Sequence, residues 1–185
     1  MDNRGILLRK SLSVAILSVA MLGVAQGNAN AQDAGRQREL HAKSGVEERN
    51  VLAEAELKWI AAKTGWRQIS VPEIRIKSSA ELSTMFFGDP EGIDGIRPLA
   101  LYSRDEHILY ISDGLKFDNL ADRSILLHEL VHHLQVANGA QSTCREASEA
   151  QAYGLQIQWL REQGIENPIK LLGLSEMDLM SLGCP

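Results

Sequence analysis

The segment His128-Glu129-Leu130-Val131-His132 constrains the fold of this chain more than any other part of the sequence. It lies in a run that begins at Asn119-Leu120-Ala121-Asp122, continues to about Ala137 and ends at Asn138-Gly139, which predicts a helix. Histidines four residues apart lie one turn apart on one helical face, so both imidazoles can point at one ion. Glu129 is rotated beside that face, within reach of a water molecule on such an ion. The apolar side chains of the run predict a buried stripe: Leu127, Leu130, Val131 and Leu134.

The next helix, predicted from about Arg145 to Gly164, offers carboxylates that could complete a metal site. Catalytic zinc usually takes three protein ligands and keeps one position for water. Glu149 would lie opposite the two histidines if a short turn made the two helices antiparallel. Glu146, one turn earlier, is the second candidate. For both carboxylates the alternative is a solvated helix N-terminus, where the helix dipole favours acidic side chains.

The rest of the sequence predicts an α+β fold around this pair of helices. Apolar and polar residues alternate over 69–77, which predicts a strand, and Pro72 lies within it. Because proline has no N–H to donate, the strand is expected at a sheet edge or with limited pairing. Arg104-Asp105-Glu106 separates two apolar stretches and predicts a hairpin. In chain order the other predicted elements are a helix over 44–65 that starts with a capping box, a strand over 69–77, a short helix over 78–87, the hairpin strands over 99–103 and 107–112, and a last short helix over 175–182.

The N-terminal residues match a secretory signal peptide. Basic residues precede an apolar run over 11–24, and Ala29-Asn30-Ala31 supplies the small residues of a cleavage site. The run has about fourteen residues, fewer than the roughly 20 that span a bilayer, so cleavage after Ala31 is favoured over an uncleaved anchor. We therefore expect a signal peptide over 1–31, a polar flexible lead-in over 32–43 and one domain over 44–185. The expected protein is periplasmic or secreted, without stable membrane insertion after cleavage.

Export determines how the two cysteines are interpreted. Cys144 and Cys184 would both enter an oxidising compartment, which favours a disulfide between them. Two buried free thiols are the alternative. A cysteine metal site is disfavoured because neither residue belongs to a CxxC pair.

The charge of the chain limits the kind of partner. With a net charge of −5 and a pI of about 5.5, general attraction to nucleic acid is not expected. The expected partner is a peptide or protein substrate. The sequence makes no prediction of the oligomeric state.

Over about residues 99–160 the chain resembles the zincin metallopeptidases of the gluzincin type, and short uncharacterised secreted bacterial domains are similar over the same stretch. In gluzincins a third-ligand glutamate follows HExxH on the next helix, often as ExxAD. This chain has Glu149-Ala150-Gln151-Ala152-Tyr153, with Tyr153 in place of the aspartate. The resemblance implies a zincin-like fold, with a small antiparallel sheet or hairpin packed on the HExxH helix and a ligand-bearing helix after it. It also implies one zinc ion per chain, held by His128, His132 and Glu149.

The expected function is an exported zinc-dependent hydrolase, specifically a peptidase. Glu129 would act as general base towards a zinc-activated water and return the proton to the leaving amine. A zincin-like domain that engages a partner without turnover is the alternative. A structural protein with an accidental motif is a third hypothesis, because a motif this short also occurs by chance.

Several other side chains have less specific expectations. His107, Tyr110 and Tyr153 are candidates for a second oxyanion donor, although a surface or packing role is favoured for each. His133, off the ligand face, is expected to bond to a carboxylate or a water. Core packing is favoured over a substrate cleft for Met85-Phe86-Phe87, and Trp59 and Trp159 are also expected in the core.

Overall fold

The computed structural model describes residues 24–93, 96–140 and 144–184. The chain divides into two compact units, Met1–Ala42 and Lys43–Pro185, and the site lies in the second. The helices are α1 (Val24–Thr64), α2 (Ser79–Phe87), α3 (Leu120–Ala137), α4 (Arg145–Glu162), α5 (Pro168–Leu171) and α6 (Glu176–Met180). The strands are β1 (Glu73–Lys77), β2 (Ala100–Ser103) and β3 (Ile108–Ser112). The α+β class predicted from the sequence is confirmed.

Helix α1 is longer than the sequence pattern predicts. It begins at Val24 rather than near Ser44, so residues 32–43, the expected flexible lead-in, have helical backbone. This segment has no hydrophobic period, but it is rich in Ala, Gln, Arg and Glu, which favour helix without needing a buried face. The signal-peptide prediction falls largely on residues 1–23, outside the described residues, and it remains a prediction.

The sheet is mixed, with β3 in the centre and the strand order β1-β3-β2. Strands β2 and β3 form the predicted antiparallel hairpin, in which Tyr102 lies opposite Leu109. The expectation of an antiparallel sheet fails for β1, which pairs parallel to β3 with Ile74 opposite Leu109. The reason is that α2 and a long loop return the chain to the sheet before the hairpin, and alternation alone carries no information about strand direction. Strand β1, which follows Pro72, lies at an edge as predicted.

Helices cover both faces of the sheet. Leu109 and Ile111 of β3 belong to the main core with α1, α3 and α4, whereas Ile108 and Tyr110 pack against Leu82 of α2. The predicted apolar stripe of α3 is fully buried. The Asn119 side chain caps α3 by accepting a hydrogen bond from the Asp122 N–H. Helix α3 packs against α4 and against strand β2, and the site lies along α3 and α4.

The aromatic side chains only partly follow the core predictions. Trp159 is buried, and Trp59 packs partly buried against the same cluster. For Met85 and Phe86 the core interpretation is wrong, because both are exposed. Phe87 is partly buried, and the fully buried residues of α2 are Leu82 and Ser83.

Cys144 and Cys184 form the predicted disulfide. It links the residue before α4 to the segment after α6. In the part of the chain that the structure describes, no helix combines the length and apolarity needed to span a bilayer.

Candidate metal centre

Two turns of α3 and the first turns of α4 bring His128, His132 and Glu149 together. The two Nε2 atoms are 3.3 Å apart, and Glu149 Oε2 lies 3.2 Å from His128 Nε2 and 3.3 Å from His132 Nε2. Both imidazoles are buried and the carboxylate is half-buried. In the described ranges, these residues are the only group of three or more His, Cys, Asp or Glu side chains close enough to hold a metal ion.

Of the two carboxylates considered from the sequence, Glu149 is the one that joins the histidines. Glu146 is exposed, and it is not part of the group. Glu146 lies one turn nearer the N-terminus of α4, in the first turn of the helix. Glu149 and Tyr153 lie four residues apart on α4, as expected. The Tyr153 ring packs against the His128 ring, with 4.5 Å between the two ring centroids.

The cluster shifts the pKa values of its own members. Burial would raise the pKa of Glu149, but hydrogen bonds from His128 and His132 lower it well below its usual range. Burial would lower the pKa of His132, but its hydrogen bond to Glu149 and the charges of Glu129 and Glu149 raise it. A proton on the His132 ring and a negative charge on Glu149 therefore stabilise each other, and a metal ion must displace that proton.

Glu129 lies beside the group and bonds to the sheet. Its Oε2 accepts a hydrogen bond of 2.8 Å from the main-chain N–H of Tyr102 in β2. Its charge also contributes to the raised pKa values of His132 and Tyr153, which places the carboxylate near both side chains. Glu129 does not belong to the group of three side chains that could hold a metal ion.

Two glutamines that the sequence analysis did not identify contact the imidazoles from behind. His128 Nδ1 lies 3.1 Å from Gln156 Oε1, and His132 Nδ1 lies 2.9 Å from Gln135 Oε1. Gln135 follows His132 by three residues on the same helix, a spacing visible in the sequence. Gln156 comes from α4 and is 28 residues from His128, so only the packing of the two helices reveals it.

His133 points away from the group, as predicted, but its partners differ from those expected. Its Nε2 lies 3.0 Å from the carbonyl oxygen of Ser70, and its Nδ1 lies 3.0 Å from the Tyr102 hydroxyl. The same hydroxyl lies 3.1 Å from His107 Nδ1. Burial lowers the pKa of His133. A carbonyl and a phenol take the place of the predicted carboxylate or water because α3 packs this ring against the sheet.

The comparisons with known proteins identify a family. A family model described as "Domain of unknown function (DUF6647)" matches residues 24–177. The chain belongs to the DUF6647 family. No curated protein matches it, and no solved structure matches it. The matched span of the DUF6647 chain includes both helices of the candidate metal centre.

Of the three oxyanion-donor candidates in this DUF6647 chain, only Tyr153 contacts a residue of the candidate metal centre. Tyr153 packs on His128. Burial raises its pKa, and the negative charges of Glu149, Glu129 and Asp178 raise it further, so its hydroxyl keeps its proton. His107 lies exposed in the hairpin turn, and the Tyr110 hydroxyl donates to Glu106.

In the DUF6647 chain, Arg145 lies between the candidate metal centre and helix α2. Its Nε lies 3.7 Å from Glu149 Oε1, the oxygen that does not face the histidines, and its guanidinium lies 5.0 Å from the Phe86 ring centroid. The exposed aromatic side chain of α2 therefore lies near the third candidate ligand. No pattern in the sequence predicts this contact between α2 and α4.

Proposed function

We propose that this protein is an exported zinc-dependent hydrolase that acts as a peptidase. The proposal depends chiefly on one observation, the convergence of His128 Nε2, His132 Nε2 and Glu149 Oε2. Two imidazoles and one carboxylate are a ligand set of catalytic zinc sites, which keep a fourth position for water.

The distances within the group fit that ion. Ligand atoms about 2.0–2.1 Å from a tetrahedral zinc are separated from one another by about 3.3–3.4 Å. The three separations here are 3.2, 3.3 and 3.3 Å. These separations support a tetrahedral zinc ion as the occupant of the site. When bound, zinc would polarise a substrate carbonyl and acidify a water molecule.

Glu129 would supply the proton transfer. Its carboxylate lies next to the ligand face without belonging to the group of three, so it is free to accept a proton from the attacking water. The same carboxylate would then donate that proton to the leaving amine. The Tyr102 N–H fixes one carboxylate oxygen, which restricts its rotation.

The sheet offers a place for an extended peptide. Strand β3 is central and both of its edges are paired, so it cannot pair with a peptide. Strand β2, like β1, lies at an edge of the sheet, and the Tyr102 N–H points from β2 towards Glu129. A substrate that added to this edge would pass close to the candidate base.

The proposed location outside the cytoplasm is supported by the Cys144–Cys184 disulfide, since such bonds persist in oxidising compartments. Together with the signal peptide expected over 1–31, it favours a periplasmic or secreted protein.

The test compares Glu129→Gln with the wild type, using zinc content and cleavage of a peptide library. We expect the variant to keep zinc and to lose cleavage by about 10²-fold or more, because the amide cannot accept the proton. Glu146→Gln, an exposed carboxylate outside the group, is the matched control and should remain active. A wild type that binds zinc but cleaves nothing would favour the non-catalytic binding module.

A further inference from the structure

We propose that Gln135 and Gln156 are positioning residues that preset both imidazoles of the metal centre to the tautomer protonated at Nδ1. The Nε2 lone pairs of His128 and His132 then face the metal position before any ion arrives. This inference rests on the proposed metal site, and it assigns how the protein prepares that site.

The orientation of Gln135 is fixed by a main-chain carbonyl. Its Nε2 lies 3.0 Å from the carbonyl oxygen of Ser148 and 2.9 Å from Gln151 Oε1. A carbonyl oxygen only accepts hydrogen bonds, so the amide NH₂ group must face Ser148. The amide oxygen therefore faces His132, and it can bond to Nδ1 only if that nitrogen carries the hydrogen.

A longer chain of hydrogen bonds fixes Gln156. The Ser124 hydroxyl donates its single hydrogen to the carbonyl oxygen of Ala121 at 2.7 Å. Towards Gln156 the same hydroxyl can only accept, and it lies 3.0 Å from Gln156 Nε2. The amide oxygen of Gln156 must then face His128, whose Nδ1 donates the hydrogen.

Both glutamines are shielded from water, which would otherwise offer competing partners. Gln135 is 1% exposed and Gln156 is 2% exposed, and Ser124 is fully buried. One glutamine lies on α3 and the other on α4, so the arrangement depends on the two helices remaining packed.

The preset tautomers bring three hydrogen-bond acceptors together with no hydrogen between them, and a bound cation would relieve their repulsion. With both Nδ1 atoms protonated, His128 Nε2, His132 Nε2 and Glu149 Oε2 are three acceptors about 3.3 Å apart. A histidine without these partners would instead place its hydrogen on Nε2 and donate it to Glu149. The glutamines oppose that local arrangement and favour a metal ion or an added proton. Because they are neutral amides, they orient the rings without adding negative charge behind them.

The direct test is ¹⁵N NMR of the imidazoles in the purified wild-type protein after metal removal, at a pH where both rings are neutral. We expect both His128 and His132 to show a protonated Nδ1 and an unprotonated, pyridine-type Nε2. Signals are assigned with His128→Gln and His132→Gln. A protonated Nε2 on either neutral ring would overturn the proposal.

Substitution gives the second arm of the test. Gln156→Leu removes the acceptor and should lower zinc affinity by about 10- to 100-fold, with His128 moving to the Nε2-protonated tautomer. Gln156→Glu keeps an acceptor of the same shape, so it should keep the Nδ1-protonated tautomer and bind zinc at least as tightly. Gln158→Leu, an exposed glutamine on the same helix, is the matched control and should change neither readout. Unchanged zinc affinity and tautomer in Gln156→Leu would overturn the proposal.

The two arms separate this inference from the proposed metal site. Wild-type protein with the preset tautomers but without zinc binding would support the role of the glutamines and contradict the zinc proposal. Zinc binding with a protonated Nε2 in the metal-free rings would contradict the role of the glutamines and leave the zinc site standing.

Discussion

The main-chain N–H of Tyr102 donates a 2.8 Å hydrogen bond to Glu129 Oε2, which joins strand β2 to the candidate base on α3. The side chain of the same tyrosine bonds to His133 and His107. Because the Ser70 carbonyl only accepts, His133 donates to it through Nε2 and accepts the Tyr102 hydroxyl hydrogen at Nδ1. Tyr102 thus fixes the strand, the helix and the base relative to one another.

Tyr102→Phe should lower the free energy of unfolding by about 1–2 kcal/mol, because the buried His133 Nδ1 loses its donor. Thermal or denaturant unfolding measures this change. Tyr110→Phe, which removes a hydroxyl bonded to Glu106 in the hairpin, is the matched control and should change stability by less than about 0.5 kcal/mol. Equal effects of the two substitutions would contradict the role given to the Tyr102–His133 bond.

Glu56 should make the protein less stable as the pH rises. Its side chain is almost fully buried, its oxygens find no hydrogen-bond partner in the described part of the chain, and Arg123 Nε lies 3.7 Å away. Burial raises the pKa of Glu56 from 4.5 to about 8, and Arg123 offsets only part of this. Since the folded state binds the proton more tightly, the stabilisation is complete below pH 4.5 and is lost as the pH rises towards 8.

Glu56→Gln removes that ionisation, so the free energy of unfolding of the variant should fall much less between pH 4.5 and 8 than that of the wild type. Denaturant unfolding at several pH values between about 4.5 and 8 measures the effect. Glu54→Gln, an exposed neighbour on α1, serves as the control. A pH dependence that is the same in Glu56→Gln and the wild type would show that this carboxyl is not its source.

Zinc affinity should increase with pH, because zinc and a proton compete for His132. The hydrogen bond to Glu149 and the nearby carboxylate charges overcome burial and raise the pKa of His132 above 6.5. The proton therefore stabilises the metal-free fold below pH 6.5, and this stabilisation is lost at higher pH. Titration with a competing chelator at several pH values should show the increase levelling off only above pH 6.5. An affinity that already levels off below pH 6.5 would contradict the raised pKa.

Local sequence patterns predicted those parts of the site that depend on a single helix. The four-residue spacing of His128 and His132 and the buried stripe of α3 needed no tertiary information. The preference for Glu149 over Glu146 depends on the assumption that the two helices are antiparallel, and the packing of α3 against α4 brings Glu149 to the histidines.

Features that depend on contacts between distant segments could not be predicted in this way. Gln156 reaches His128 from another helix, and Arg145 links Glu149 to Phe86 of α2. The parallel pairing of β1 and the exposure of Met85 and Phe86 also depend on how elements pack, which periodicity does not encode. The helical backbone over 32–43 could not be predicted either, because the segment has no hydrophobic period.

Zinc content per chain tests the central claim most directly. Wild-type protein purified with zinc and freed of excess metal should contain about one zinc per chain by elemental analysis, as expected for a single three-ligand site. His128→Ala combined with His132→Ala should abolish binding, whereas His107→Ala, at the exposed hairpin turn, should not. A wild type without zinc, or a folded double variant that keeps it, would contradict the account.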